Sequence, residues 1–282
     1  MPFELPINEV DFVSLDLECT GPAPGFDHIT EIGAVRFRIT RDGVVSVGPI
    51  FEELIKPPRD IPGYVTELTG ITNEDVASAP PLEQVWPRLV AYLERPNTLL
   101  LAHSAEVDLA FLVLSAEAMG KDWQAPPSLC TARVARRAFP KAGKYGLMAL
   151  VESLGCAQGE VVHHRALADA LHARNVFARS VAHLRPQCVS ELEVEATPAP
   201  SLNELKVDIP DALVPLLSAA KEERPQWIVY RGGSKGRSKR RITPLGFYSR
   251  DGRTFLRAWC HLDESAKSFR ADRISLNYPE SA

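Results

Sequence analysis

The chain has 282 residues, of which 45% are hydrophobic and 24% charged, and its net charge is −4. This length allows one sizeable hydrophobic core and a smaller one, so we expect one or two domains. Its longest apolar stretches, NTLLLA and LAFLVL, are far shorter than the roughly 18 residues of a membrane span. The start, MPFELPINEVDF, has no basic segment before an apolar run and is not typical of a signal peptide. We expect a soluble, cytoplasmic protein.

The cysteines and the charge distribution indicate which class of protein the chain belongs to. Five scattered cysteines without a Cys-x-x-Cys pair predict reduced thiols rather than a disulfide framework or a zinc site. Residues 227–282 contain 12 Lys/Arg and 5 Asp/Glu, so an acidic body precedes a basic tail. The densest basic stretch, RGGSKGRSKRR at 231–241, is compatible with a solvated loop or with a nucleic-acid contact.

The first half of the chain alternates strand-like and helix-like segments. DFVSLDLE, HITEIGAVRFRIT and VVSVGPIFEELIK predict three strands joined by short turns, which favours an antiparallel start. Residues 65–93 have helical periodicity, and NTLLLAHS predicts a buried strand that leads into the helix EVDLAFLVLSAEAMG. Further helices are predicted at 130–138, 146–154 and 167–183. The pattern indicates an α/β fold with a mixed sheet.

A Pro-rich, acidic segment separates this body from the rest of the chain. We predict one domain at 1–185, a linker at 186–201 with a short docking segment, and a second domain at 202–282. The second domain begins with a helix at 211–223. The short strands QWIVYR, RRITPLGFYS, TFLRAWCHL and SFRADRISL follow, which is typical of a small β-barrel or a strongly twisted sheet.

The first strand contains an unusual pair of acidic residues. Asp16 and Glu18 are two residues apart, so their side chains point to the same face, roughly 7 Å apart. Asp108 in AHSAEVDLAFL and Asp169 in HHRALAD each fall at the start of an apolar helix, and His164 lies five residues before Asp169. Clustered carboxylates suit two hard divalent cations, Mg²⁺ or Mn²⁺, which would cancel the repulsion and clamp a phosphodiester.

These segments resemble the motifs of the DEDDh 3′–5′ exonucleases, a family with the ribonuclease-H-like fold whose relatives include proofreading subunits of bacterial polymerases. DLECTG with DHITEIGAV resembles the first motif, AHSAEVDLAFL the second and HHRALAD the third. The resemblance covers about residues 9–180. It implies that Asp16, Glu18, Asp108 and Asp169 are metal ligands and that His164 is the general base, a task that suits a pKa near working pH.

The resemblance also implies substrate contacts for Cys19, Thr20 and His103. Relatives commonly have Thr where this chain has Cys19, so we expect altered contacts rather than lost activity. His103 either helps to position substrate or makes a structural hydrogen bond.

The last part of the chain resembles a WYL domain, a small β-barrel-like module. The matching text is WIVYRGGSKGRSKRRITPLGF and GRTFLRAWCHLDESAKSFRADRI, although TFL stands where the family has its defining tripeptide and Lys267 where an Arg is usual. WYL modules are thought to sense nucleotides or oligonucleotides. The resemblance therefore implies ligand contacts for Arg241, Arg257, Arg270 and Arg273, while structural pairing remains an alternative. Phe255 and Trp259 alternate on one face and are predicted to lie in the core.

We therefore expect a metal-dependent 3′–5′ exonuclease that acts on single-stranded DNA or RNA, with a WYL module that holds the strand or regulates cleavage. One alternative is a WYL-type nucleotide sensor whose nuclease domain only binds. Another is a polymerase-associated proofreading subunit. The sequence leaves open the choice between DNA and RNA, the metal, the oligomeric state and any polymerase partner.

Overall fold

The computed structural model describes residues 2–157, 165–192, 194–197, 207–232, 236–250 and 252–276. The chain divides into two compact units. The first contains Met1–Pro22 and Asp27–Pro200, and the second contains Ala23–Phe26 and Ser201–Ala282. Within the described ranges no helix combines the length and apolar character needed to cross a membrane.

The first unit is built on a five-stranded mixed sheet. Its strands are β1 (Asp11–Cys19), β2 (Ile29–Ile39), β3 (Val45–Leu54), β4 (Thr98–Ala102) and β5 (Ser128–Cys130), in the order β3-β2-β1-β4-β5. Strands β1, β2 and β3 pair antiparallel, whereas β4 is parallel to β1 and β5 is parallel to β4. The predicted antiparallel start and mixed α/β sheet are therefore confirmed.

Seven helices are described in this unit. They are α1 (Gly63–Thr69), α2 (Asn73–Val76), α3 (Leu82–Leu93), α4 (Ala105–Ala118), α5 (Thr131–Ala138), α6 (Leu147–Ser153) and α7 (Ala166–Leu184). The stretch predicted to be helical at 65–93 is thus three helices. Gly70 ends α1 in the left-handed conformation at φ 73°, and Thr72 forms a capping box with Asp75 that starts α2.

Both faces of the sheet are covered. On one face Leu15 of β1 shares a core with Leu89 of α3 and Leu112 of α4. On the other face the rings of Phe12 of β1 and Phe177 of α7 lie 5.0 Å apart. Odd and even positions of β1 point to opposite faces of the sheet. Both sets of side chains are buried because helices cover both faces.

The segment predicted to be a linker packs against the first unit over part of its length. The 3₁₀ helix Val189–Leu192 buries both of its terminal residues in the core that contains Phe12. Further along, the backbone N–H of Thr197 donates to the carbonyl of Ser128 over 2.8 Å. The predicted domain boundaries stay predictions.

The second unit is mostly β structure. After the 3₁₀ turn Asp211–Leu213 come α8 (Pro215–Lys221), β6 (Gln226–Arg231), β7 (Arg237–Arg250), β8 (Arg253–Cys260), β9 (Ser265–Arg270), the 3₁₀ turn Ala271–Arg273 and β10 (Ile274–Ser275). The strands form an antiparallel sheet in the order β10-β6-β7-β8-β9. Ile228, Ile242 and Leu256 form its core together with Leu216 of α8.

Strand alternation decides which side chains of this sheet face inward. Arg240 is buried and pairs with Asp263, whereas its neighbour Arg241 is exposed. Trp259, predicted to be a core residue, is 43% exposed, so that prediction is wrong. Its neighbours Ala258 and Cys260 point into the core instead, and Trp259 must therefore face outward.

Helix α7 begins directly against β2. A Cβ atom added at Gly33 would lie 2.1 Å from the backbone nitrogen of Leu167 and 2.2 Å from the carbonyl carbon of Ala166. The absence of a side chain at Gly33 therefore lets the first turn of α7 lie on the sheet.

Gly33→Ala tests this contact. The added methyl group meets backbone that has no rotamer to change, so the free energy of unfolding should fall by about 1–3 kcal/mol or more. Urea denaturation measures the loss. Gly63→Ala is the matched control, since no atom lies within 4 Å of its added Cβ, and its effect should stay within about 0.5 kcal/mol. Equal stability of the Gly33 variant and the wild type would contradict the packing argument.

Candidate active site

Three carboxylates meet at one end of the first sheet. Asp16 and Glu18 lie on the same face of β1, and Asp169 lies in the first turn of α7. One carboxylate oxygen from each lies within 4.8 Å of the others. The sequence predicted this grouping, and the structure shows that residues 151 positions apart complete it.

Hydrogen bonds hold Asp169 in this position. The hydroxyl of Ser14, on the same face of β1, donates to the carbonyl of Ala170 over 2.7 Å. The backbone N–H of Asp169 donates to the carbonyl of Arg165 over 3.0 Å. Because Asp16 is paired with Gly33 across the strands, α7 meets no side chain there as it approaches β1.

The fourth predicted ligand, Asp108, comes from α4 and is 7% exposed. It is outside the group of three that lies within 4.8 Å. Its charge still acts on the group, since after burial the carboxylate of Asp108 raises the pKa of Asp16 more than any other carboxylate does.

Burial and mutual repulsion make the ionised forms of these carboxylates costly. Burial, followed by the charges of Asp108, Asp169 and Glu18, raises the pKa of Asp16 well above its ordinary value. Burial, with Asp169 and other neighbours, raises the pKa of Glu18 to about 7. Burial raises the pKa of Asp108 to about 8. A cation at this site would relieve both penalties.

The donor set suits a hard divalent cation. The three grouped ligand atoms are oxygens, and Oδ1 of Asp169 is buried with no hydrogen-bond partner in the described part of the chain. Burial and the carboxylate of Asp108 raise the pKa of the neighbouring Cys19 thiol, so this group does not offer a thiolate. Oxygen ligands without sulfur are those that Mg²⁺ and Mn²⁺ prefer.

A fifth acidic residue, Glu31, lies beside the cluster and was not assigned from the sequence. It is 1% exposed and is paired with Glu18 across β1 and β2. Arg165 contacts both of its carboxylate oxygens, with distances of 2.5–3.1 Å, and the N–H of Ala166 donates to Oε2 over 2.8 Å. Glu31 thus pairs with Arg165, the residue before α7, and accepts a hydrogen bond from the first backbone N–H of that helix. Its place in DHITEIGAV, two residues before a strand glycine, was the available signal.

The predicted catalytic base and substrate contacts have different outcomes. His164 lies outside the described residues. Both ring nitrogens of His103 have partners, Thr131 Oγ1 at 2.9 Å and the carbonyl of Tyr145 at 2.8 Å, which supports the structural alternative. The hydroxyl of Thr20 accepts a hydrogen bond from the backbone N–H of His28 over 2.9 Å.

The arginines predicted to bind ligand in the second unit also differ from one another. Arg257 is 2% exposed, and its Nη1 donates to the carbonyl of Ala266 and to Ser268 Oγ over 3.3 and 3.4 Å. Arg270 forms a two-bond ion pair with Asp272, at 3.0 and 2.6 Å. Structural pairing therefore accounts for the placement of both side chains.

Arg241 and Arg273 are exposed. Arg241 lies in the centre of β7, and the backbone N–H of His261 donates to its carbonyl over 3.0 Å. Of the four arginines, these two have exposed side chains.

Two family models match the chain. Residues 13–177 match the family model Exonuclease (RNase_T), and residues 211–276 match the WYL domain model. The first match spans more than half of the chain. The chain therefore belongs to the Exonuclease (RNase_T) family and carries a WYL domain in its second unit, which confirms both predicted resemblances.

Its relatives include bacterial proteins named as DNA polymerase III or as a subunit of it. The chain is 36% identical over 197 residues to a PolC-type DNA polymerase III of Thermotoga petrophila; these residues are 69% of this chain and 14% of that protein. It is 32% identical over 174 residues to a DNA polymerase III subunit epsilon of Aquifex aeolicus, covering 61% of this chain and 81% of the relative. The chain thus spans a small part of the first relative and most of the second.

A solved structure supports the fold. The nuclease domain of 3′hExo, described as a DEDDh family member bound to rAMP, has a TM-score of 0.52 and 17% identity, and the match covers 66% of this chain and 96% of that one. The mixed α/β exonuclease fold expected from the sequence is confirmed.

The raised pKa values predict how stability changes with pH in the absence of metal. The folded protein keeps protons on Glu18 up to about 7 and on Asp108 up to about 8, whereas the unfolded chain loses them near the ordinary values of 4.5 and 3.8. The free energy of unfolding should therefore fall as pH rises from about 5 to about 8. In chelator, the melting temperature should fall by about 2–4 °C for each kcal/mol lost.

Mg²⁺ or Mn²⁺ should raise the melting temperature more at pH 8 than at pH 5, because protons compete for the carboxylates. Glu18→Gln should flatten the metal-free dependence on pH. A melting temperature that changes with neither pH nor metal would contradict the electrostatic account of the cluster.

Glu31→Gln tests the contact at the start of α7. The amide keeps an acceptor for the N–H of Ala166 but loses the charge that pairs with Arg165, so unfolding should cost about 1–2 kcal/mol less. Mn²⁺ affinity, measured by calorimetry, should fall as Asp169 loses its fixed position. Glu53→Gln is the control, because Glu53 pairs with Arg88, whose side chain is 60% exposed, and such pairs contribute little. Identical metal affinity in both variants would rule out positioning by Glu31.

Proposed function

We propose that this protein is a metal-dependent 3′–5′ exonuclease that hydrolyses single-stranded DNA or RNA. The observation that supports this most directly is the group of Asp16, Glu18 and Asp169, with Asp108 acting on it electrostatically. A protein that only binds nucleic acid has no need to bury mutually repelling carboxylates, since burial of charge without compensation is costly.

In the proposed mechanism Asp16, Glu18, Asp108 and Asp169 would hold two divalent cations, Mg²⁺ or Mn²⁺. Bound cations supply Lewis acid chemistry, since they activate water and stabilise charge on the departing oxygen. Glu31 and Arg165 keep the start of α7, and therefore Asp169, against β1. His164 accepts the proton of the attacking water, a role that follows from the family motif.

The second unit is proposed to hold the strand. Its described strands have the basic residues Arg231, Arg237, Lys239 and Arg241, while residues 1–226 have an excess of acidic residues. An acidic body attracts phosphates only at its metal site, so a basic unit would supply the longer-range attraction.

Degradation of oligonucleotides labelled at the 5′ end tests the proposal. With Mg²⁺ or Mn²⁺ the wild type should produce a ladder that shortens from the 3′ end, and chelator should abolish it. Matched DNA and RNA substrates identify the preferred sugar. Asp16→Ala should lower kcat/KM by about a thousandfold or more, since it removes charge stabilisation of several kcal/mol.

Glu117→Ala is the matched control. The Glu117 side chain is exposed and lies in the last turn of α4, whereas Asp108 lies in the first turn. Its activity should equal that of the wild type. Near-normal activity of Asp16→Ala would refute the two-metal assignment, and tight binding without a ladder would favour the sensor alternative.

The names of the relatives support a second candidate function, a polymerase-associated proofreading subunit. This function predicts that exonuclease activity rises markedly when a replicative polymerase is added. An unchanged rate would favour a nuclease that works alone.

A further inference from the structure

Two tryptophans on the second sheet face solvent. Trp227 on β6 is 49% exposed and Trp259 on β8 is 43% exposed. A small β unit gains stability when it buries large aromatic side chains, and its core is filled by aliphatic side chains with Phe247 and Phe269 rather than by these tryptophans. Exposed aromatic side chains that share one face are more informative than scattered ones, because a contiguous apolar surface marks an interaction site.

Strand register puts both tryptophans on the same face. Trp227 pairs with Arg241 on β7, and Thr243, two residues further along β7, pairs with Trp259 on β8. Residues paired directly across strands, or two apart along a strand, point the same way. Trp227, Arg241, Thr243 and Trp259 therefore form a diagonal row, and we call these four residues the tryptophan row. Its two ends are roughly 12 Å apart on ideal sheet spacing.

The charges around the row are positive. The ammonium of Lys239 lies 4.9 Å from the ring centroid of Trp227, and Arg241 is exposed between the two tryptophans. On β6, and on β7 before its bulge between Pro244 and Gly246, the other described residues that share this face are Val229, Arg231 and Arg237. Within these described residues no Asp or Glu lies on the face, so it complements an anion.

We propose that the tryptophan row is a stacking platform for single-stranded nucleic acid, with bases on Trp227 and Trp259 and phosphates along Arg241 and Lys239. This inference rests on the proposed function and specifies where the second unit holds the strand. Exposed indole faces favour unpaired bases, since the faces of bases in a duplex are already stacked. The combination of aromatic faces and a basic groove grips a strand without reading its sequence.

The test uses the whole 282-residue chain and a fluorescent oligothymidylate in chelator, so that binding is measured without cleavage. Trp227→Ala and Trp259→Ala should each weaken affinity by about tenfold, the typical loss of one stacked base. The conservative changes to Phe should restore most of the affinity. Leu262→Ala is the control, since Leu262 is 55% exposed in the same unit but lies outside the row, and it should bind like the wild type.

The salt dependence separates stacking from charge. Arg241→Ala should reduce the slope of log affinity against log salt by about 1, whereas the tryptophan variants should leave that slope unchanged. A matched duplex should bind less tightly than the single strand and lose little affinity in the tryptophan variants.

Two results would overturn the platform. One is a double variant, Trp227→Ala with Trp259→Ala, that binds the single strand like the wild type. The other is an equal loss of affinity in Leu262→Ala and in the tryptophan variants, found while the wild type still degrades the strand. The proposed function fails separately, by the absence of any metal-dependent ladder from the wild type.

Discussion

The close approach of α7 to β2 is the contact on which the candidate active site depends. Gly33 provides no side chain at the point where Ala166 and Leu167 cross the sheet. A side chain there would push the helix away from the strands, and Asp169 would move with it. One missing methyl group thus controls the distance between carboxylates from distant parts of the chain. Because backbone meets backbone at this point, no change of side-chain rotamer could compensate.

Electrostatics oppose what this packing enforces. Asp16, Glu18 and Asp108 are held where burial and mutual repulsion raise their pKa values, so the fold stores an unfavourable arrangement at one end of the sheet. The strands, the helix contact and the Glu31–Arg165 pair supply the compensation. Strain of this kind is typical of functional sites, where a ligand repays the cost of the arrangement. The opposite face of β1, which has Leu15, is hydrophobic core.

The two units use complementary chemistry. The first concentrates negative charge in a small buried group, and the second displays positive charge and aromatic rings on an open sheet. A cluster that holds cations must be rigid and partly dry, whereas a surface that holds a flexible strand must be open and tolerant. The Exonuclease family model matches residues 13–177 and the WYL domain model residues 211–276, so the two kinds of surface lie in different domains of the chain.

The sequence by itself determined the class of fold, the carboxylates of the three motifs and the basic second unit. These features follow from local patterns: a period of two along β1 puts Asp16 and Glu18 on one face, and Asp108 and Asp169 sit at predicted helix starts. Tertiary structure alone decided the role of Glu31, whose partner Arg165 is 134 positions away. It also decided that Trp259 is exposed while Ala258 and Cys260 are buried, because alternation separates the two faces of a strand without saying which one the core will cover. That choice depends on the helices and strands packed against the sheet, which no local stretch of sequence contains.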